Sequence, residues 1–134
     1  MRILPSIPPA SCYDVPSNTM VVVAVGYHKE LLKGCIEPLI LAALQDGDKY
    51  GYQLARDISE LSSGHFQLKD GTLYPALKRL EQDGLVQSYW GEAESGARRR
   101  YYRLTDGGQA AHADWLGEWA SFVRSMNAVL GVNT

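Results

Sequence analysis

Apolar positions along this chain change their spacing several times, and each change marks an element. From Leu31 onward, Leu32, Cys35, Ile36, Leu39, Ile40 and Ala43 recur every three or four residues, as on one buried helical face. Pro38 suits the first turn of a helix, so the regular helix is expected to begin near Glu37. "QDGD" at 45–48 reads as a turn whose Asp48 can cap a second helix over 49–62. Tyr52, Leu54, Ile58 and Leu61 would form its inner face, and "SSG" at 62–64 would stop it. "HFQL" at 65–68 is too short for a helix and fits a small strand.

Asp70 or Thr72 can cap a third helix, with Pro75 in its first turn and Leu73, Leu77 and Leu80 as its apolar stripe. "QDG" at 82–84 supplies a left-handed stop at Gly84. Residues 85–90 and 99–104 then read as two strands joined by "GEAESGA". Thr105 caps a last helix reaching about residue 130, with Ala111, Trp115, Trp119, Phe122, Met126 and Leu130 along one side. The fold class expected is mainly α with a small β hairpin. A winged helix-turn-helix domain at 31–104 would be followed by a long C-terminal dimerisation helix at 105–134. Residues 1–19 hold four of the six prolines and are expected to be a disordered leader, with 20–30 connecting; Met20 is an alternative start.

Composition narrows the function. A chain of 134 residues with a net charge of −2 fits one domain and has no global attraction to nucleic acid. Cys12 and Cys35 stand far apart without metal-ligand spacing, as in a reduced, cytoplasmic protein. Both longest apolar runs, 20–26 and 39–44, are too short to cross a bilayer. His28, His65 and His112 are scattered, and neither a glycine-rich phosphate loop nor a nucleophile elbow occurs, so no enzyme, metal or cofactor is expected.

Local charge says more. Arg98, Arg99, Arg100 and Arg103 outnumber Glu92 and Glu94, giving the hairpin a net charge of about +2. Strand alternation puts Arg99, Tyr101 and Arg103 on one face and Arg100, Tyr102 and Leu104 on the other. Several cations fixed on a rigid ribbon suit phosphate binding, and they equally suit a solvated strand edge. The third helix is neutral overall, since Lys69, Lys78 and Arg79 are balanced by Asp70, Glu81 and Asp83. Thr72, Tyr74 and Lys78 would project opposite its leucines, toward bases or phosphate. The stripe of Trp115, Trp119, Phe122, Val123, Met126 and Leu130 suits a two-fold dimer seam, or a cavity that stacks a flat ligand.

The segments "GTLYPALKRLEQDGLV" (71–86), "SGARRRYYRLT" (95–105) and "LLKGCIEPLILAALQDGDKYGYQLARDI" (31–58) together closely resemble the PadR family of bacterial transcriptional regulators. The resemblance covers roughly residues 30 to 130, with the motifs in the family's order. It implies a winged-helix repressor, homodimeric through its C-terminal helix, on a pseudo-palindromic double-stranded DNA operator. The short C-terminal helix and the position of Trp119 are similar to the multidrug-resistance regulators of that family. In those relatives a tryptophan here lines a dimer-interface pore for planar drugs. By that resemblance Lys69, Thr72, Tyr74, Lys78 and Arg79 would enter or flank the groove, while Tyr50 and Arg98 to Arg100 would hold the backbone. Trp119, helped by Trp115, would bind a planar aromatic effector. Trp115 adds bulk near that pore, which bears on ligand size. Two alternatives remain open: a ligand-binding dimer with little DNA affinity, and a protein-interaction module.

Overall fold

The computed structural model describes residues 30–132, so the expectations for the leader and for most of the connecting segment lie outside the described residues. A 3-10 turn at Lys33–Cys35 leads into α1 (Ile36–Ala43). Pro38 is the third residue of α1, where a backbone N–H would have no partner within the helix. After a turn come β1 (Lys49–Tyr50), α2 (Gly51–Leu61) and α3 (Asp70–Gln82). The hairpin of β2 (Val86–Glu92) and β3 (Arg98–Leu104) follows, and α4 (Asp106–Leu130) ends the described chain.

The short strand is not where it was expected. Lys49 and Tyr50 pair with Tyr102 and Tyr101, giving an antiparallel sheet in the order β1-β3-β2. "HFQL" is instead tied back to the end of α2. Phe66 N–H donates to Ser62 Oγ at 3.0 Å, and Gln67 Nε2 donates to Ser59 Oγ at 2.9 Å. Local hydrogen bonds thus hold the start of this segment where a ladder would have done so.

Capping differs at two helices. Tyr50, not Asp48, is the N-cap of α2, and its N–H donates to the Gln53 side chain at 3.1 Å. Lys69 precedes α3 without a side-chain cap, and Asp70 is that helix's first residue, where its charge favours the helix dipole. Pro75 therefore lies sixth in α3, beyond the first turn, and deprives the Gly71 carbonyl of its helical donor. Both residues are exposed, so water can reach that carbonyl. Tyr52 and Leu61 also depart from expectation, being 67% and 82% exposed. The buried face of α2 is Gly51, Leu54 and Ile58, and neither departing residue falls on it.

Ile40, Leu54, Leu73, Leu77, Leu80 and Val86 form the solvent-free centre, closed on the sheet side by Tyr102. Gly84 (φ 76°) ends α3 in the left-handed region. Leu85 N–H then reaches Leu80 O at 2.9 Å and Gly84 N–H reaches Glu81 O at 3.0 Å, a Schellman closure that turns the chain into β2. As expected, Thr105 caps α4: its Oγ1 accepts from Gly108 N–H at 3.0 Å and donates to Gly84 O at 2.6 Å.

Gly108 shows how closely α4 is seated. A Cβ there would overlap the Leu85 carbonyl oxygen, whereas one at Gly107 would meet only ordinary contacts. Gly108→Ala should therefore cost about 2 kcal/mol or more, despite alanine's better helix propensity. Gly107→Ala should be neutral or gain about 0.5 kcal/mol. Urea unfolding followed by circular dichroism would separate the two, and equal stabilities would refute the close seating.

Candidate nucleic-acid interface

The interface begins at the junction of α1, β1 and α2, which one lysine holds together. Lys49 Nζ donates to the Ala43 carbonyl at 2.5 Å, to Asp46 Oδ1 at 2.6 Å and pairs with Asp57 Oδ2 at 2.7 Å. Its side chain is only 13% exposed. Burial alone would lower its pKa, but the hydrogen bonds to Asp46 and Asp57 outweigh that and hold the ammonium above the ordinary lysine value. The same bond to Lys49 holds the exposed Asp46 below the usual carboxylate range. Fixing Lys49 fixes Tyr50 beside it, and with it the start of α2.

α3 lies against this junction. A Cβ at Gly51 would overlap the Tyr74 hydroxyl, so glycine there lets the two helices approach. Leu73, Ala76, Leu77 and Leu80 face the core, leaving Thr72, Tyr74 and Lys78 exposed on α3 and Lys69 exposed just before it. Arg79 is exposed too, but it is engaged: its Nε sits 2.6 Å from Glu37 Oε2 on α1.

The wing has two faces with different chemistry. On the face away from α3, Tyr50, Tyr101 and Tyr89 form an aromatic row, with ring centroids 5.5 and 5.6 Å apart. Arg99 lies over Tyr50 at 5.5 Å and Arg103 over Tyr89 at 5.8 Å, closing the row at both ends. Tyr89 donates its hydroxyl to Asp48 at 2.6 Å, and that bond, with desolvation, raises its pKa. On the face shared with α3, burial likewise raises the pKa of Tyr102. Arg100 there donates to Ser88 Oγ at 2.7 Å and lies 3.7 Å from Glu81, while Ser88 Oγ donates to Glu81 at 2.6 Å. That network ties the wing to the C-terminal turn of α3. Further out, Arg98 covers the exposed Trp90 indole at 5.1 Å.

The nine residues expected at this interface therefore fall into separate groups. Thr72, Tyr74 and Lys78 are exposed on α3 and Lys69 is exposed just before it; Tyr50 and Arg99 are stacked together at the α2 start; Arg98 stands on the wing. Arg79 and Arg100 instead hold elements together, since each meets a glutamate from another element. Sequence reasoning missed Lys49 and Trp90. The "KY" before "GYQL" resembled a helix start, and Trp90 counted only as a strand former until register set it diagonal to Arg98.

Along α4, Trp115 and Trp119 stack at 5.3 Å, and Phe122 meets Trp119 at 5.9 Å. Trp119 is 43% exposed and Phe122 55%, and Met126 and Leu130 extend the open stripe. Trp115 and Val123 are half-buried. Among the described residues no helix is long and apolar enough to cross a membrane.

Three helices closed by a small sheet, with an exposed third-helix face beside a basic hairpin and a long helix after it, define a winged helix-turn-helix protein. A model of the Transcriptional regulator PadR-like family matches residues 40–114. The chain is 37% identical over 83 residues to Transcriptional regulator Rv3488 of Mycobacterium tuberculosis, spanning 62% of this chain and 74% of that one. It is 29% identical over 77 residues to Negative transcriptional regulator PadR of Bacillus subtilis, 58% of this chain and 42% of the relative. A solved transcriptional regulator from Clostridium thermocellum superposes with a TM-score of 0.68 at 33% identity, over 74% of this chain and 96% of that one. The chain belongs to the PadR-like family of transcriptional regulators.

The Lys49 junction makes a prediction of its own. Lys49→Met leaves the Ala43 carbonyl without its side-chain donor and the Asp57 carboxylate with only Arg56, 3.6 Å away, and should cost about 2 kcal/mol in urea unfolding. Because the folded pKa is raised, the stabilisation is complete below the ordinary value of 10.5 and fades as pH climbs through the folded one. The wild-type-minus-variant difference should therefore stay flat through neutral pH and shrink only in strong alkali. A difference that shrank toward neutral pH would contradict this assignment.

Proposed function

We propose that this transcriptional regulator is a cytoplasmic repressor. It binds a pseudo-palindromic DNA operator as a homodimer, and a planar hydrophobic molecule at the dimer interface modulates it. The observation that carries the reading is the pairing of two exposed surfaces on one small fold. One is the outer side of α3, with Lys69, Thr72, Tyr74 and Lys78, flanked by the wing cations. The other is the uncovered aromatic stripe of α4. The first suits groove and phosphate contacts, and the second suits self-association through a two-fold axis. The name of the Bacillus subtilis relative, a negative regulator, supports repression as the direction.

In this reading Lys69, Thr72, Tyr74 and Lys78 meet the groove, while Arg98, Arg99 and Tyr50 hold phosphates. Arg79 and Arg100 act one step back, by keeping α3 in place through Glu37 and Glu81. Trp115, Trp119, Phe122, Val123, Met126 and Leu130 form the dimer seam, and Trp119 stacks the effector. A specific observation favours a second reading, a ligand-binding dimer with little DNA affinity: two of the expected DNA-binding cations already have acidic partners in the protein.

Titrating the protein on its own upstream DNA at two salt concentrations, with and without a planar dye, tests both. Repression predicts selective binding that weakens with salt and changes with dye. Arg99→Ala removes one phosphate contact from each protomer of the dimer and should lower the salt slope by roughly two. Trp119→Ala should abolish dye binding, with sedimentation checking that the variant is still a dimer. A dimer that binds dye but no DNA selectively would favour the second reading.

A further inference from the structure

The wing pair of Trp90 and Arg98 has no work in the reading above beyond one phosphate contact, yet its geometry is specific. Trp90 opposes Arg100 and Glu92 opposes Arg98 across the hairpin, so Arg98 and Trp90 are diagonal neighbours on one face. That face is the one that carries Tyr102, Ser88 and Val86 against α3 and the core, so both side chains project on the side of the sheet where α3 lies. The Arg98 guanidinium rests over the indole at 5.1 Å instead of pairing with the Glu92 carboxylate opposite. Trp90 is nonetheless 58% exposed. A stacked guanidinium keeps its in-plane N–H donors for another molecule, and the ring holds it with little loss of further entropy.

We infer that Trp90 and Arg98 form a single minor-groove reader that gives this regulator a preference for A·T pairs flanking each half-site. The inference rests on the DNA-binding reading and deepens it. Arginine is drawn into the narrow, strongly negative minor groove of A·T-rich DNA. The guanine N2 amino group changes the donor pattern of that groove and obstructs its floor. Trp90 keeps the guanidinium extended from the wing and lays its apolar edge on the sugar wall. Arg98 is then a specificity residue, and Trp90 is its positioning residue.

The test starts from a duplex that the wild-type protein selects from a randomised pool. Three versions are made, with A·T, G·C or inosine·cytosine pairs in the flanks. Inosine·cytosine lacks the N2 amino group, so its minor groove resembles A·T while its major groove resembles G·C. Binding is read by fluorescence anisotropy. Wild type should lose roughly ten-fold on G·C flanks and regain it on inosine·cytosine. Arg98→Ala and Trp90→Ala should bind all three alike.

Arg98→Lys should keep the salt slope but lose the discrimination, because lysine retains the charge without the stacked fork. Trp90→Phe should restore part of it, and melting curves check that each variant is folded. Folded Arg98→Lys or Trp90→Ala proteins that discriminate as wild type does would overturn the inference, as would a selective wild type indifferent to the flanks. If no duplex is enriched at all, it is the DNA-binding reading itself that fails, and the inference falls with it.

Discussion

Everything at this interface depends on a two-residue strand. Lys49 and Tyr50 pair with the middle of β3, and at that point the sheet is joined to the helices. The pairing alone would be weak, since so short a strand offers few ladder bonds. Lys49 compensates by turning inward to the last turn of α1, the following turn and α2. Tyr50 turns the other way, under Arg99 and against Tyr101. Strand alternation thus assigns two neighbouring residues to opposite tasks: one closes the core, and the other begins the outer aromatic row. Were this strand to detach, α2 would lose its start, and Gly51 could no longer seat Tyr74 of α3.

The distribution of charge follows from the same packing. Four arginines on one strand look alike in sequence, but the pleat and register give each a different neighbour. Arg100 faces the glutamate at the end of α3, Arg99 and Arg103 lie on tyrosines, and Arg98 lies on a tryptophan. Stacking on aromatic faces neutralises none of these charges. It fixes their direction, and that lowers the entropy to be lost when a phosphate or base edge is engaged. With a net charge of −2, the chain gains little from long-range attraction to DNA. Such a protein relies on cations already in position.

Much of this fold could be read before the structure. Leu73, Leu77 and Leu80 announce α3 by spacing, Gly84 marks its end, and Thr105 marks the start of α4; all three signals are local, and all three hold. Errors arose where a local signal had a distant competitor. Asp48 had the chemistry of a cap but serves Tyr89, 41 residues away. "HFQL" could have been a strand, yet Lys49–Tyr50 had taken the place beside β3. Arg79 looked like a groove residue because Glu37, 42 positions earlier, cannot be seen beside it in sequence. Tyr52 and Leu61 are apolar yet exposed, and spacing alone cannot say which apolar residues are surplus to a small core.

The remaining link is mechanical. α4 leaves the hairpin through Thr105, which bonds both its own first turn and the Gly84 carbonyl at the end of α3. Gly108 is seated on Leu85 so tightly that a methyl group does not fit. The first turn of α4 is therefore joined to the C-terminal end of α3 with little slack. The whole helix is 25 residues and about 37 Å long, and beyond its first turn it carries the aromatic stripe outward. In the proposed dimer, tilting this rod by about 5° to admit a flat molecule between the tryptophans shifts one end by roughly 3 Å relative to the other. A displacement of that size at α3 is enough to misplace side chains that must sit within hydrogen-bonding distance of bases. The ligand needs to favour the tilted arrangement by only about 1–3 kcal/mol for regulation to be useful. The stiff joint at Gly108 transmits that tilt in the proposed dimer, because the Thr105 and Gly108 contacts hold the start of α4 directly against the end of α3 and the residue before β2.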